Sequence, residues 1–399
     1  MMSADVLVVG AGPAGCAAAL TLARGGLKVI IADEHIFPRE KVCGDALIPD
    51  AVRALDRLGL WTDISRNALQ LGKLKIFAPN RQMVEIHGEV ASIPRIVMDD
   101  LILQAAVRSG AEFIPGFRAI SPCQETGRVH GVLFQNLTDK SLEKISAKYV
   151  VLATGAAPSI LEAFDVCERK QPSGFALRGY FQADRHVAEM WDSLAISFDA
   201  SLLPGYGWIF PGPDGVFNVG VGVFNNGKRP SKMNVRELWE TFISGFPLAA
   251  ELVHSARPLG RLRGAPLRTG LWGTTLSRPG LLVAGEAAGT TYSFSGEGIG
   301  KALESGIIAG EVLKHAFASQ SLNPEHEYVN VISKSFRNIF DAYEKAQNWL
   351  ENPSFCNWLA RRAGKSAYVR QQLAGIFSET VGPRTLFSFQ GVCRALIRS

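Results

Sequence analysis

The rhythm of apolar and polar positions changes several times along the 399 residues. At the start, residues 5–9 form a short unbroken apolar strand that runs into Gly10-Ala-Gly12-Pro-Ala14-Gly15. An alanine-rich run with helical spacing follows over residues 16–24, and Gly25-Gly26 stops it. A second apolar strand, residues 28–32, ends on Asp33. Further on, residues 93–110 read as an amphipathic helix opening at Pro94-Arg95, residues 148–153 as a buried strand entering Thr154-Gly155, and residues 280–285 as a last strand of the same kind. A glycine-rich turn then leads into a helix over residues 298–317. Residues 73–87 and 195–224 alternate differently, as β-rich runs broken by Gly, Pro and Asn. From residue 325 to 399 no strand alternation survives and the pattern is helical.

A strand, glycine turn, helix and strand within about 30 residues make one half of a doubly wound nucleotide-binding sheet. The chain is too long for one small core. The expected fold is therefore α/β: a Rossmann-like dinucleotide-binding domain, an inserted antiparallel β-sheet substrate domain and a C-terminal helical region. The first is expected to be discontinuous, from residues 1–72, 95–160 and 270–320. Residues 73–94 and 161–269 are assigned to the insert, and 321–399 to the helical region.

Composition narrows the classes. With 47% apolar and 20% charged residues the chain is that of a folded protein. A net charge of +5 without a dense Lys/Arg block argues against nucleic acid as a partner. Six cysteines without a CxxC pair argue against a structural metal site and a secreted disulfide framework, and fit the cytoplasm. No signal peptide is expected, because the first apolar run ends at once in glycine, and no stretch approaches the roughly 20 apolar residues of a membrane span.

The glycine turn carries the first chemistry. Gly10 permits a tight turn, Gly12 lets backbone approach a pyrophosphate, and Gly15 lets helix and strand pack closely. Phosphates then lie over the helix N-terminus beside Ala14, where free N–H groups favour anions. Asp33, ending the second strand, is placed to accept hydrogen bonds from ribose hydroxyls. The far end of the chain decides between dinucleotides. Gly280-Leu-Leu-Val-Ala-Gly-Glu286-Ala-Ala-Gly289 can present Glu286 to a ribityl chain, and Phe294-Ser-Gly-Glu-Gly298-Ile299 starts a helix whose N–H groups point at a flavin pyrimidine edge. A nicotinamide protein needs no such second site, so the expected cofactor is FAD.

Over roughly residues 4–315 these motifs resemble the flavoproteins that include aromatic hydroxylases, flavin halogenases and geranylgeranyl reductases. That group usually has Asp where Glu286 stands. Two signals resemble the geranylgeranyl reductase branch. One is Phe37-Pro-Arg-Glu-Lys-Val-Cys43-Gly44-Asp-Ala46, whose matching cysteine lies close to the flavin ring in the family. The other is Tyr206-Gly-Trp208-Ile-Phe210-Pro211, followed after eight residues by Gly220-Val-Gly222. The halogenase pattern would need Trp and Ile where Tyr206 and Phe210 stand. Arg95 matches an arginine that the group keeps near the flavin. The resemblance implies a hydrophobic isoprenoid or prenylated substrate, with Cys43, Tyr206 and Trp208 as candidate catalytic residues. It leaves open a monooxygenase of an aromatic or prenylated substrate.

Reducing an isolated C=C bond needs a hydride at one carbon, a proton at the other, and shelter from water. Aromatic faces such as Tyr206 and Trp208 can line an apolar slot and stabilise passing positive charge, although strands also carry aromatics simply as core. Asp45 is read as the cap of the helix that follows it. Ala153-Thr-Gly-Ala-Ala-Pro-Ser159 lacks the acid with which hydroxylases of the group contact NAD(P)H, so the electron donor is either NAD(P)H or a reduced carrier protein. Residues 360–399 hold seven basic residues against the single acid Glu379, interspersed with Leu373, Ile376, Phe377, Leu386, Phe387, Phe389, Leu396 and Ile397. That mixture suits peripheral contact with the cytoplasmic membrane face, or equally a helical cap with a solvated basic side.

Overall fold

The computed structural model describes residues 2–169, 171–224, 234–293, 295–320 and 322–398. Two sheets organise them. In the first, Met2–Val9 lies between Val29–Asp33 and Leu142–Leu152, and the outer strands Glu112–Pro115 and Leu281–Val283 extend the array, all parallel. Alternate residues of the central strand serve opposite cores. Val6 and Val8 pack toward the helices Pro13–Arg24, Arg95–Arg108 and Ile299–Ser319, whereas Leu7 and Val9 meet Phe117, Val129, Val132 and Phe134. The latter belong to a hairpin, Phe117–Glu125 with Arg128–Asn136, turning at Thr126-Gly127 with both residues at positive φ as a two-residue hairpin turn demands.

The glycines of the first turn do what their spacing implies. Gly10 has φ +103, and a Cβ on Gly15 would stand 1.9 Å from the Gly10 carbonyl oxygen. The helix Pro13–Arg24 is alanine-rich because Ile299–Ser319 crosses it closely. A Cβ on Gly306 would lie 2.1 Å from the Ala14 carbonyl oxygen, and one on Gly310 3.0 Å from that of Ala18. Pro94 starts Arg95–Arg108 two residues later than the hydrophobic pattern alone suggests, by disfavouring helical backbone before it.

The second sheet is antiparallel but for one pair. Gly174–Gln182, Val216–Phe224, Gly205–Pro211 and Leu194–Ser197 run in that order, then Leu69–Phe77 joins Leu194–Ser197 in parallel and Met83–Ser92 and Ala46–Leu47 complete the run. Leu69–Phe77 spans residue 73 without a break, bulging between Leu71 and Lys73. Gly205–Pro211 is buried on both faces. Gly207 and Ile209 turn toward the helices Val235–Gly245 and Pro247–Ser255, with a Gly207 Cβ only 2.3 Å from the Phe242 ring. Tyr206, Trp208 and Phe210 turn the other way, into a separate cluster. The last quarter is helical: Pro324–Leu350, Pro353–Lys365, Ala367–Phe377 and Phe389–Ile397. Among the described residues no helix is long and apolar enough to cross a membrane.

Candidate active site

One cavity of about 610 Å³ runs from the carboxyl ends of the parallel strands to the aromatic face of the second sheet. Its first end lies where the order of the parallel sheet reverses, between Met2–Val9 and Leu142–Leu152, the usual ligand crevice of a doubly wound fold. Gly10, Gly12 and Ala14 line it there. Gly12 precedes Pro13–Arg24 without any side-chain cap, so N–H groups of the first turn are free, and a Cβ on Gly12 would meet nothing nearer than an Arg39 nitrogen at 3.8 Å. Asp33 accepts hydrogen bonds from the Ala11 N–H at 2.7 Å and the His35 N–H at 2.8 Å. Burial opposes its charge, but the His35 and Ala11 hydrogen bonds hold the carboxyl below its ordinary value. Thr154 Oγ1, on the opposite lip, is buried without a partner. Open N–H groups, a fixed carboxylate and an unpaired hydroxyl around one trough fit the phosphates and ribose of a dinucleotide.

Glu286, Gly298 and Ile299 meet the same cavity from the other side. Glu286 sits in the turn Gly285–Ala288, takes the Arg268 N–H at 3.2 Å and lies 4.0 Å from Lys41 Nζ. Gly298 precedes Ile299–Ser319 without a side-chain cap of its own, and the Glu297 carboxylate accepts the Gly300 N–H at 3.0 Å. Burial lifts the Glu297 carboxyl to about 7. Phe294 of this motif lies outside the described residues.

Cys43 and Gly44 stand midway along the cavity. Burial pushes the Cys43 thiol up, against the opposing pull of Arg95, so it is neutral. Arg95 is no surface ion pair: it is buried, chelated by Asp99 through Nε and Nη2 at 2.7 Å each, and Arg39 reaches the same carboxylate at 2.7 Å. Asp99 is itself buried, its carboxylate enclosed by the two guanidinium groups.

Beyond Cys43 the cavity becomes an aromatic chamber. Tyr206 packs on Phe198, Trp208 and Phe224 with ring centroids 5.6, 6.0 and 5.8 Å apart, and Trp208 stacks on Phe210 at 6.2 Å. Tyr206 donates its hydroxyl to the Ser295 carbonyl, and the Trp208 indole donates to Asn218 Oδ1 at 2.9 Å. With both polar atoms turned to protein, apolar ring surface faces the cavity.

The sequence reading of Asp45 needs correction. The helix that follows it, Pro49–Arg57, is preceded by Ile48 with no side-chain cap. Asp45, 2% exposed with φ +67, instead accepts hydrogen bonds from Tyr180 Oη at 2.5 Å and Asn218 Nδ2 at 2.8 Å, and from the Arg95 N–H at 3.3 Å. Burial lifts its carboxyl to about 6, although Tyr180 and Asn218 favour its charge. It lines the cavity between Cys43 and the aromatic chamber. Asn218 was legible in principle, as the one amide on a strand face otherwise of Val216, Gly220, Gly222 and Phe224. Tyr180, 135 residues away from Asp45, was not.

A trough for a dinucleotide joined to a sheltered chamber with a buried acid defines the class: the protein is an FAD-dependent oxidoreductase. The FAD binding domain family model matches residues 3–183. The menaquinone reductase of Mycolicibacterium smegmatis is 32% identical over 323 residues, 78% of this chain and 76% of the relative. Digeranylgeranylglycerophospholipid reductase 2 of Methanosphaera stadtmanae is 28% identical over 97% of this chain and 95% of its own. A geranylgeranyl bacteriochlorophyll reductase-like structure from Thermoplasma acidophilum superposes with a TM-score of 0.81 at 21% identity, covering 94% of this chain and 96% of the other, and shares the fold. The chain belongs to the geranylgeranyl reductase family.

Proposed function

We propose that the enzyme saturates isolated C=C bonds in the prenyl chain of a lipid or quinone. The observation that carries this reading is the continuity between the dinucleotide trough and an aromatic chamber in which Tyr206 and Trp208 turn their polar atoms to protein and their rings to the cavity. Relatives named for reducing menaquinone and digeranylgeranylglycerophospholipid agree with that chemistry.

When bound and reduced, FAD would supply the hydride for one carbon of the bond. Gly10, Gly12, Ala14 and Gly15 would hold its pyrophosphate, Asp33 its adenosine ribose and Glu286 its ribityl chain. The backbone at Gly44, Gly298 and Ile299 would border the ring, with Arg95 fixing the Cys43 loop through Asp99. Tyr206 and Trp208 would bind the chain, exclude water and shelter positive charge at the second carbon. Asp45, protonated at Oδ2 or Oδ1, is placed to deliver the proton there, and Tyr180 and Asn218 hold its carboxyl in place. The segment around Thr154-Gly155 has no acid to engage a nicotinamide nucleotide, so we assign the supply of electrons to a reduced carrier protein.

The test is anaerobic. Dithionite-reduced enzyme is incubated with menaquinone and with a digeranylgeranyl lipid in detergent, the quinone head is reoxidised after quenching, and product mass is followed. A gain of two hydrogens per bond is the expected result. Product forming only with oxygen, and carrying it, would instead make the protein a monooxygenase.

A further inference from the structure

The tail does not lie flat on one side as its composition alone allows. Leu373, Ile376, Phe377 and Phe387 line the cavity, and Leu386 is buried, so these five are not available to any outside surface. The last helix, Phe389–Ile397, is built the other way round from an ordinary surface helix. Its buried residues are the small Gly391 and Ala395, while Phe389, Leu396 and Ile397 are 78%, 56% and 83% exposed. At 100° per residue, Phe389, Val392, Cys393 and Leu396 share one stripe with Ile397 at its margin; Val392 and Cys393 are half-buried, and Phe389, Leu396 and Ile397 stand out from the protein.

Charge accompanies this stripe. Arg384 and Arg394 stand beside it, and Arg361, Lys365 and Arg370 on the preceding helices and Arg398 over the Tyr368 ring are also exposed. The single acid of residues 352–399, Glu379, is turned inward, where Lys301 at 2.8 Å and Tyr292 at 2.6 Å engage it. The outer surface of the tail thus presents cations and apolar side chains without a carboxylate among the described residues. Its position is fixed from beneath: Arg362 of Pro353–Lys365 donates to the Ala395 carbonyl at 2.6 and 3.0 Å, and Leu359 and Ala360 of the same helix line the cavity.

We propose that the outward face of Phe389–Ile397 docks on an anionic lipid bilayer. Phe389, Leu396 and Ile397 enter the acyl boundary, and Arg384 and Arg394 meet lipid phosphates. One helix, Pro353–Lys365, lies between this face and the cavity, so docking here would bring the cavity close to the bilayer that holds a prenyl chain. That purpose rests on the prenyl-chain reading above, but the surface itself does not.

The experiment is co-sedimentation of the full-length protein with vesicles of phosphatidylcholine alone and of phosphatidylcholine with phosphatidylglycerol. The wild type is expected to bind the phosphatidylglycerol vesicles at least tenfold more tightly. Phe389→Ser/Ile397→Ser and, separately, Arg384→Gln/Arg394→Gln should each lose at least tenfold, while keeping the flavin absorbance and turnover of detergent-dispersed substrate. No binding by the wild type, binding indifferent to phosphatidylglycerol, or either double variant binding like the wild type would overturn the proposal. Turnover in detergent reports on the prenyl-chain reading and vesicle binding on the docking face, so the two can fail separately.

Discussion

The indole of Trp208 lies across Gly220 of the neighbouring strand, so closely that a Cβ at Gly220 would stand 2.2 Å from Cζ2. The two are direct cross-strand partners, as are Tyr206 and Gly222. The spacing between the aromatic motif and Gly220-Val-Gly222 is thus a register: the indole is given Gly220 to lie over, and its far edge reaches toward Gly222, 3.7 Å from a Cβ there. Gly220→Ala should displace the indole and press on the Leu177 carbonyl, 2.7 Å from the same Cβ. The expected loss is roughly 1–3 kcal/mol of stability, read as a lowered midpoint in urea, together with impaired turnover. An unchanged midpoint would mean that the sheet yields at no cost.

Trp208→Ala should lower kcat/KM for a prenyl substrate by about a hundredfold while FAD stays bound, because the ring lines the chamber and not the phosphate trough. Trp208→Phe should recover part of the loss, since Phe keeps an aromatic face but gives up the hydrogen bond to Asn218. Absorbance at the flavin band before and after gel filtration separates the two effects. Loss of flavin from Trp208→Ala would make this side chain a structural support of the cofactor.

Gly12→Val should fold and lose FAD. The backbone there has φ −78, which valine accepts, and the nearest atom to a new Cβ is 3.8 Å away. The branched side chain would stand in the open space over the helix N-terminus where the pyrophosphate belongs. Equal thermal unfolding of the flavin-stripped wild type and a colourless variant would bear this out. Stoichiometric FAD in the variant would place the dinucleotide elsewhere.

Asp45 predicts a pH dependence. Its carboxyl titrates at about 6, and only the protonated form can give a proton. The saturation step in single turnover should therefore be at its plateau below that pH and fall roughly tenfold per unit above it. Asp45→Asn should remove this limb and lower the plateau by about a hundredfold or more, with FAD content unchanged. A profile with the same descending limb in Asp45→Asn would assign the proton to another group, Glu297 being a second acid on the cavity, half-buried and with its carboxyl lifted to about 7.

How much of this was written in the chain depends on the distance between the residues concerned. The βαβ unit, the glycine roles and the resemblance to the geranylgeranyl reductases rest on contiguous runs, where spacing of two or of three and four already states which face is buried. The alternation of Tyr206, Trp208 and Phe210 against Gly207 and Ile209 belongs with them, because a strand's period is fixed by its backbone. What required the tertiary structure were groups brought together across the sheets. Asp45 looked like a local cap, and its carboxyl acquired a raised pKa only when Tyr180 and Asn218 closed around it and removed water. Asp99 is enclosed by Arg95, one turn before it, and by Arg39, which only the fold brings there. In the tail, composition gave the basic and apolar residues but not their sides. Packing of Phe377 and Phe387 against the cavity, and of Gly391 and Ala395 against the helices beneath, decided that Phe389, Leu396 and Ile397 face outward. Local periodicity is set by bonded geometry and can be read in one dimension, whereas desolvation and charge pairing depend on which distant segments meet.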